Sequence, residues 1–382
     1  MATAPAGTSL QSQFLDLERE LNTAHFERTE VIRSLLVSLL ARAHVVLLGP
    51  PGTGKSRLVR DVCQRIVGIF FEWQLTRMST PEELFGPISL QGLQQDRYRR
   101  IPTGKLPEAE IAYLDETFKA SSAIINTLLA AMNERVFYND GHAIPMPLQM
   151  LVGASNELPE DREELGALWD RFLIRHVVDY VKDPASFTRL LSSATNPAAA
   201  TTLSLTELVA AQAEVAQVDV TPVFGLLGQL RVSLTQMGVV ASDRRWKQSL
   251  PLIQANAWMN GHATAEASDV TILQHVLWSE PDQRLAVAKA VLGLISPFDQ
   301  KAQDILDDAK DGYTKALTAP EDERKTEGLA ANKALEAAAR QLIAVAKEAE
   351  AAGKPSTVAR NGLAQVQSWG DEILRTCLRI NF

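Results

Sequence analysis

The stretch that decides the fold is HVVLLGPPGTGKS, residues 44–56, in which a short apolar run leads directly into a glycine-rich turn. The run at 45–48 predicts a buried strand, because it is apolar throughout and stops at a turn signal. From Lys55 to Val67 apolar residues recur every three or four positions, which predicts a helix. The order strand, turn, helix is typical of folds in which helices join parallel strands.

The turn itself fits the pattern G-x-x-x-x-G-K-[ST] of a phosphate-binding P-loop, and it has the flanking strand and helix that this motif requires. Glycines let backbone N–H groups face phosphate oxygens, and a helix N-terminus favours negative charge. Lys55 would reach the β- and γ-phosphates, and the Ser56 hydroxyl would ligate Mg²⁺. We therefore predict an ATP and Mg²⁺ site. The predicted nucleotide-binding residues are Gly49, Pro50, Pro51, Gly52, Thr53, Gly54, Lys55, Ser56 and Arg57.

Two acidic residues, Asp115 and Glu116, end a second apolar stretch at 111–114. In isolation such a pair is typical of a solvated helix N-terminus. Downstream of a P-loop it favours a catalytic pair, in which Asp115 holds Mg²⁺ through water and Glu116 is the general base for the attacking water.

Composition narrows the class of protein. The chain has 382 residues, 46% hydrophobic and 22% charged, which favours two or three folded domains. A net charge of −8 disfavours binding to nucleic acid through its phosphates. No apolar run approaches the ~20 residues that span a bilayer, and no secretory signal is expected. Cys63 and Cys377 match no metal or redox spacing. We expect reduced thiols, no nucleic acid, no membrane span and a cytoplasmic location.

Strands and helices alternate in the first half of the chain. Apolar stretches at 69–75, 151–154 and 174–178 predict further core strands, and 135–148, with its Asn-Asp-Gly turn, predicts a β-hairpin. The expected fold class is therefore α/β, with a mostly parallel sheet between helices.

The second half of the chain shows only helical signals. A Ser-, Ala- and Thr-rich linker is predicted at 192–202, followed by a helical domain over 205–295. Beyond Pro297, apolar residues at a helical spacing predict long amphipathic helices that pair in a hairpin or a three-helix arm.

Several segments together resemble the MoxR branch of the AAA+ ATPases, and most closely its regulatory ATPase variant A (RavA) group. The segments are FERTEVIRSLLVSLL, LLGPPGTGKS, STPEELFGPIS, GKLPEAEIAYLDE, NTLLAAMNERVF, GASNELPE, LWDRFLIR and SDRRWKQSLPLIQA. The resemblance, which covers roughly residues 20–290, implies a P-loop NTPase core over 1–190 and a helical lid over 191–297. The helical arm over 298–382 is predicted from the helical spacing alone. Within the core the resemblance implies a helix-2 insert at 84–106 and a hairpin before sensor 1 at 135–148.

The resemblance also implies roles for single residues. Asn156 matches sensor 1, which orients the lytic water. Arg171 matches the arginine finger that enters the neighbouring subunit's site, with Arg175 as the alternative. Arg244 matches the sensor 2 arginine that reaches the γ-phosphate from the lid, with Arg245 as the alternative. Val31 and Ile32 would contribute apolar contacts to the adenine.

Partners follow from the same resemblance. It implies a homo-oligomeric ring, six subunits in the family, that remodels or activates a client beside a protein with a von Willebrand factor A domain. The RavA module that docks a lysine decarboxylase is not expected, because 298–382 shows only helical signals. Two readings compete: a nucleotide-gated scaffold with incidental turnover, and a DNA-working motor, which the net charge disfavours.

Overall fold

The computed structural model describes residues 9–158, 162–192, 201–321, 323–352 and 356–378. Its strands are β1 (Val45–Leu48), β2 (Ile66–Val67), β3 (Phe70–Gln74), β4 (Ile111–Asp115), β5 (Val136–Asn139), β6 (His142–Pro145), β7 (Met150–Ser155), β8 (Ile174–Val177) and β9 (Leu203–Ser204). Five of them form a sheet in the order β3-β4-β7-β1-β8, in which every pair is parallel. All residues of β1 and β7 are buried, as expected for strands covered on both faces. The predicted α/β class and parallel sheet are confirmed.

The described residues also form fifteen α-helices. They are α1 (Ser9–Ala24), α2 (Thr29–Ala41), α3 (Lys55–Gln64), α4 (Pro81–Phe85), α5 (Leu90–Leu93), α6 (Ser122–Asn133), α7 (Arg162–Arg171), α8 (Pro184–Ser192), α9 (Leu205–Val215), α10 (Phe224–Gln236), α11 (Asp243–Met259), α12 (Arg284–Ile295), α13 (Pro297–Thr318), α14 (Arg324–Ala351) and α15 (Thr357–Thr376). Short 3-10 helices lie at Leu106–Glu108, Thr117–Lys119, Thr221–Val223, Ala267–His275 and Pro281–Gln283.

The chain divides into two compact units, Met1–Gly225 with Val239–Arg284, and Leu226–Gly238 with Leu285–Phe382. The parallel sheet lies in the first unit, where α2 packs against α1, α9 and α11. The three domain boundaries predicted above stay predictions, and the linker residues 193–200 lie outside the described part of the chain.

The second unit contains the predicted arm as three packed helices, α13, α14 and α15. Its core is built from leucine, valine and isoleucine interleaved with alanine, which lets long helices approach closely. Tyr313 stacks on Trp369 with ring centroids 5.2 Å apart and donates a hydrogen bond of 2.6 Å to Glu372. Of the two forms of arm that the spacing allowed, the three-helix form is present.

An insert and a hairpin pack together beside the sheet. β5 and β6 pair antiparallel around the turn at Asp140 and Gly141. Ile88 bridges Arg100 antiparallel, so the insert is itself a small looped ribbon. The Asn139 side chain binds both the N–H and the carbonyl of Arg100, at 2.7 and 3.0 Å, which ties insert to hairpin.

Buried His44 fixes the amino edge of the sheet. The N–H of Leu151 donates to its Nδ1 at 3.0 Å, and its Nε2 bonds to the carbonyl of Met132 at 3.0 Å. Burial lowers the pKa of His44 to about 4, so the ring is neutral at pH 7. This histidine therefore joins α6, β7 and the start of β1. None of the described helices is both long enough and apolar enough to cross a membrane.

Candidate nucleotide-binding site

The loop after β1 has a backbone that only glycine adopts easily. Gly49 has φ +148° and a side chain there would meet the carbonyl oxygen of Val178 at 2.1 Å. Gly54 has φ +82° and lies directly before Lys55, where α3 begins. The first N–H groups of α3 therefore point into the concave side of the loop, the arrangement that binds anions in other proteins.

Lys55 lies inside this loop. Its Nζ donates hydrogen bonds to the carbonyls of Gly49 at 2.6 Å and Pro50 at 2.9 Å, and to Asn156 Oδ1 at 3.3 Å. Burial lowers the pKa of Lys55, and the charges of Asp115 and Glu116 offset part of that effect. The ammonium is thus placed between the loop and the two predicted catalytic acids.

Glu116 and Asn156 meet on the other side of the loop. Asn156 Nδ2 donates to Glu116 Oε1 at 2.7 Å, and Lys119 Nζ lies 3.3 Å from Glu116 Oε2. A continuous chain of contacts therefore runs from Lys55 through Asn156 to Glu116. Glu116 also has φ +52°, a left-handed conformation that a non-glycine residue adopts at a cost. Such outliers cluster at functional sites.

These residues come together because their strands are neighbours. β1, β7 and β4 are adjacent and parallel, so the segments that follow them end at the same carboxyl edge of the sheet. Open α/β sheets bind ligands at that edge. The sequence therefore could predict this grouping once the strands were assigned.

The predicted Mg²⁺ ligands lie close to the same edge. Ser56 Oγ is 3.0 Å from the Tyr113 hydroxyl, and Asp115 Oδ1 accepts a hydrogen bond from the N–H of Glu116 at 3.0 Å. A hydroxyl and one carboxylate are the hard oxygen ligands that Mg²⁺ takes beside substrate phosphates, so the donor set fits. Within the described residues no cluster of three or more His, Cys, Asp or Glu offers an all-protein metal site.

Arg28, which sequence reasoning does not single out, holds the loop in place by hydrogen bonds to backbone carbonyls. Its guanidinium donates to the carbonyls of Thr53 at 3.2 Å and Asp179 at 2.6 Å, and Tyr180 donates to Pro51 O at 3.0 Å. Arg28 lies in the quoted segment FERTE, but nothing in its spacing marks it as a brace. The contact depends on where β8 ends in space.

Three other predicted binding residues have different surroundings. Val31 and Ile32 are 6% and 0% exposed in the packed face of α2. Their contact with adenine stays a prediction. Arg57 is partly exposed on α3, with Nε 4.0 Å from Asp61 Oδ2.

Arg171 and Arg244 lie at the opposite edge of the sheet. Arg244 Nη2 donates to Asn133 Oδ1 at 2.5 Å, next to Met132, whose carbonyl binds His44 at the start of β1. Arg171 ends α7, just before β8 begins. The structure therefore does not bring either arginine to Lys55 of the same chain. The expectation that Arg244 reaches the γ-phosphate from the lid cannot hold within one chain.

The two alternative arginines, Arg175 and Arg245, are buried and hydrogen-bonded. Arg175 is 1% exposed, stacks 4.3 Å from the Trp169 ring centroid and donates to the carbonyls of Trp169 and Trp278. Arg245 is 3% exposed and donates to Leu173 O at 3.0 Å and Val276 O at 2.8 Å, and it pairs with Asp170 at 3.0 Å. Both have structural partners, which leaves Arg171 and Arg244 as the accessible members of each pair.

Comparison with known families agrees with this architecture. Residues 12–218 match the model of the MoxR domain in the MoxR-vWA-beta-propeller ternary systems, and residues 222–291 match an AAA lid domain. The first match covers more than half of the chain. These matches do not extend to the regulatory ATPase variant A group that the motifs resembled.

Individual relatives match between 46% and 77% of this chain. An uncharacterised protein of Methanocaldococcus jannaschii is 40% identical over 295 residues, 77% of each chain. The chaperone MoxR1 of Mycobacterium tuberculosis is 29% identical over 187 residues, 46% of this chain and 48% of that one. A crystal structure from Cytophaga hutchinsonii, named as a candidate ATPase, superposes with a TM-score of 0.59 at 15% identity, over 74% of this chain and 94% of that one. The chain belongs to the MoxR family of AAA+ proteins.

Proposed function

We propose that this chain binds ATP with Mg²⁺ and hydrolyses it. The observation that carries the proposal is the chain of contacts from Lys55 through Asn156 to Glu116 at the carboxyl edge of the sheet. A phosphate-binding ammonium, a water-orienting amide and a carboxylate base are the groups that phosphoryl transfer to water requires.

Each residue has a defined part in this proposal. The loop amides and Lys55 hold the β- and γ-phosphates, and bound Mg²⁺, held by Ser56 and Asp115, neutralises charge on them. Glu116 takes the proton of the attacking water. Asn156, which donates to Glu116 at 2.7 Å, fixes the direction of that carboxylate and of the water. Lys119 Nζ, 3.3 Å from Glu116 Oε2, contacts the other oxygen of the same carboxylate.

We further propose that the complete site is shared between copies of the chain in a ring of six. Arg171 would serve as the arginine finger of the neighbouring subunit, because its position at the amino edge separates it from its own loop. Burial and the nearby charge of Arg244 lower the pKa of Arg171, as expected where positive groups gather to meet an anion. The two arginines would then complete a site that the P-loop of another copy begins.

The work done by hydrolysis would be remodelling or activation of a client protein. The name of the MoxR1 relative and the family description, which places MoxR domains in systems with vWA and beta-propeller components, support this part. A von Willebrand factor A-domain protein is the proposed partner. The joined insert and hairpin expose Leu90, Tyr98 and Tyr138, which offers a surface for such contacts.

The experiment that tests the proposal measures turnover and assembly together. The purified chain should release phosphate from ATP only with Mg²⁺, and sedimentation should show one ring-sized species with ATP. Assembly without Mg²⁺-dependent turnover would favour the competing scaffold. A Glu116→Gln variant, expected to hold ATP without hydrolysing it, is then the bait for capturing the client.

A further inference from the structure

A cavity of about 190 Å³ opens at the amino edge of the sheet, between the ends of α2, α6 and α7 and the side of α11. Three arginines line it, namely Arg42, Arg135 and Arg171. Its other lining residues are neutral, so within the described part of the chain no carboxylate faces the cavity. The volume is several times the ~30 Å³ that one water molecule occupies in the liquid.

Positive charge is in excess in the lining of this cavity, and the charge of Asp170, which acts on Arg171, comes from outside that lining. Arg171 Nε is buried and has no hydrogen-bond partner, and the described residues supply no ion pair to the side chains of Arg42 or Arg171. Burial lowers the pKa of Arg135 to about 10, and the charge of Arg42 adds to that effect. Clustered cations that repel one another are stabilised when an anion binds among them.

Arg42 occupies a backbone position that favours glycine. It follows the last residue of α2 with φ +53° and ψ 38°, and the N–H of Ala43 closes the helix end on Ser38 O at 2.9 Å. Helices commonly place glycine at such a left-handed position, because other side chains strain there. The carbonyl of Arg42 accepts from Arg135, whose Nε also donates to Leu148 O at 2.9 Å. Arg135 is thus fixed as a wall of the cavity, whereas the Arg42 side chain is exposed.

The cavity cannot serve the P-loop of its own chain. Arg42 precedes β1, whereas Gly49 follows it, and a four-residue strand spans roughly 13 Å at ~3.3 Å per residue. An anion that reaches this cavity must therefore come from solution or from another molecule.

We infer that Arg42 is a further catalytic residue, which with Arg171 contacts the terminal phosphate of ATP bound by a second copy of this chain. The inference rests on the proposed function, because it requires a shared site. In the step concerned, the water oxygen bonds to the γ-phosphorus and Glu116 takes the water proton. The bond to the β–γ bridging oxygen breaks, and ADP leaves with that electron pair. Arg42 and Arg171 stabilise the charge that develops on the phosphoryl oxygens.

The substitution that tests this is Arg42→Gly in the full chain. Glycine relieves the left-handed backbone, so the urea midpoint should stay equal or rise. ATP affinity should be unchanged, because the P-loop is intact. In contrast, kcat should fall roughly ten- to a hundred-fold, because the variant loses one charge-assisted hydrogen bond in the transition state. Arg42→Lys, which keeps the charge, should have an intermediate kcat. Arg19→Ala removes an exposed arginine of α1 that pairs with Asp16 and should change nothing.

Mixing experiments identify the source of the phosphate. Arg42→Gly mixed with Lys55→Ala should recover activity, since the second variant supplies Arg42 to the intact P-loop of the first. Turnover of Arg42→Gly within two-fold of wild type, while Arg171→Ala is inactive but recovers on mixing, would overturn the inference and leave the proposed function standing. An effect of Arg42→Gly only on inhibition by inorganic phosphate would assign the cavity to free phosphate and overturn it as well. Failure of Arg171→Ala to recover on mixing would instead remove the shared site itself.

Discussion

At the carboxyl edge of the sheet, Lys55 is surrounded by the charges of Asp115 and Glu116, whereas at the amino edge Arg42, Arg135 and Arg171 line one cavity that has no carboxylate among its described lining residues. The first edge has both signs of charge and is close to internally neutral. The described lining of the cavity at the second edge carries positive charge only. From this difference we propose that each edge is half of a site: one would hold the anion and the base, and the other would supply cations to the anion.

The largest effect is expected at the carboxyl edge. Glu116→Gln should lower kcat by about 10²–10⁴, because an amide cannot accept the proton of water, while ATP affinity stays near that of wild type. Steady-state phosphate release and titration calorimetry measure the two quantities. Glu336→Gln, an exposed glutamate on α14, is the matched control and should be silent. Turnover of Glu116→Gln within a few-fold of wild type would mean that Glu116 is not the base.

Lys55→Ala should weaken nucleotide binding itself. Its Nζ contacts the carbonyls of Gly49 and Pro50 and the Asn156 side chain, so the substitution removes the positive charge that would bind the phosphates. A charge-assisted contact of this kind contributes about 1.5–3 kcal/mol, and roughly ten- to a hundred-fold weaker ATP binding is expected. Titration calorimetry measures the ATP affinity of Lys55→Ala and of Arg57→Ala, so that loss of the buried cation is compared with loss of the partly exposed one. Equal affinity of Lys55→Ala and wild type would contradict the P-loop assignment.

At the amino edge, substitution of the buried Arg245 should lower stability, whereas substitution of the neighbouring Arg244 should not. Arg245→Met removes a buried guanidinium that pairs with the partly exposed Asp170, and it leaves two buried carbonyls without their donor. At about 1–3 kcal/mol for each carbonyl, the free energy of unfolding should fall by about 2–6 kcal/mol. Arg244→Met, one residue away and exposed, should change stability by less than ~0.5 kcal/mol. Urea unfolding of the two variants measures this difference. Similar stabilities of the two variants would contradict the structural role of Arg245, and a larger loss in Arg244→Met would show that the two assignments are exchanged.

The smallest expected effect concerns pH and the buried histidine at the amino edge. His44 has a folded pKa of about 4 against 6.5 for the free side chain, so the unfolded chain binds more protons between these values. Its contribution to stability is complete above pH 6.5 and falls as the pH drops towards 4, by up to ~1.4 kcal/mol per pH unit. His44→Gln should flatten the pH dependence of the urea midpoint between pH 6.5 and 4.5. Exposed His142→Gln should leave it as in wild type; equal slopes in all three proteins would contradict this role of His44.

The sequence predicted the carboxyl edge better than the amino edge, for a physical reason. Lys55, Asp115, Glu116 and Asn156 each follow a strand, and the carboxyl ends of parallel neighbours must meet. At the amino edge position depends on how helices pack. Neither the burial of Arg175 between two tryptophans nor the cavity beside Arg42 has a sequence pattern of its own.

The same reasoning applies to α2 and the residues just before it. Val31 and Ile32 are apolar and lie in a family-like segment, and both are buried in the packed face of the helix. Arg28, in the same segment, reaches the loop because the end of β8 lies beside it. A single sequence shows which residues are apolar or charged, and the face that each presents is fixed only when neighbouring elements are in place.

The central claim is that one site is divided between two copies, and mixing Lys55→Ala with Arg171→Ala tests it most directly. Each variant alone should be nearly inactive. The first binds ATP roughly ten- to a hundred-fold more weakly and lacks the ammonium that holds the γ-phosphate. The second lacks the arginine that contributes about 10³–10⁵ in rate. After verified subunit exchange, the ATPase rate plotted against mixing ratio should rise to a maximum at intermediate ratios, since some interfaces then pair an intact loop with an intact arginine. A rate that stays at zero across all ratios would show that Arg171 acts within its own chain or not at all, and would contradict the division of the site between the two edges.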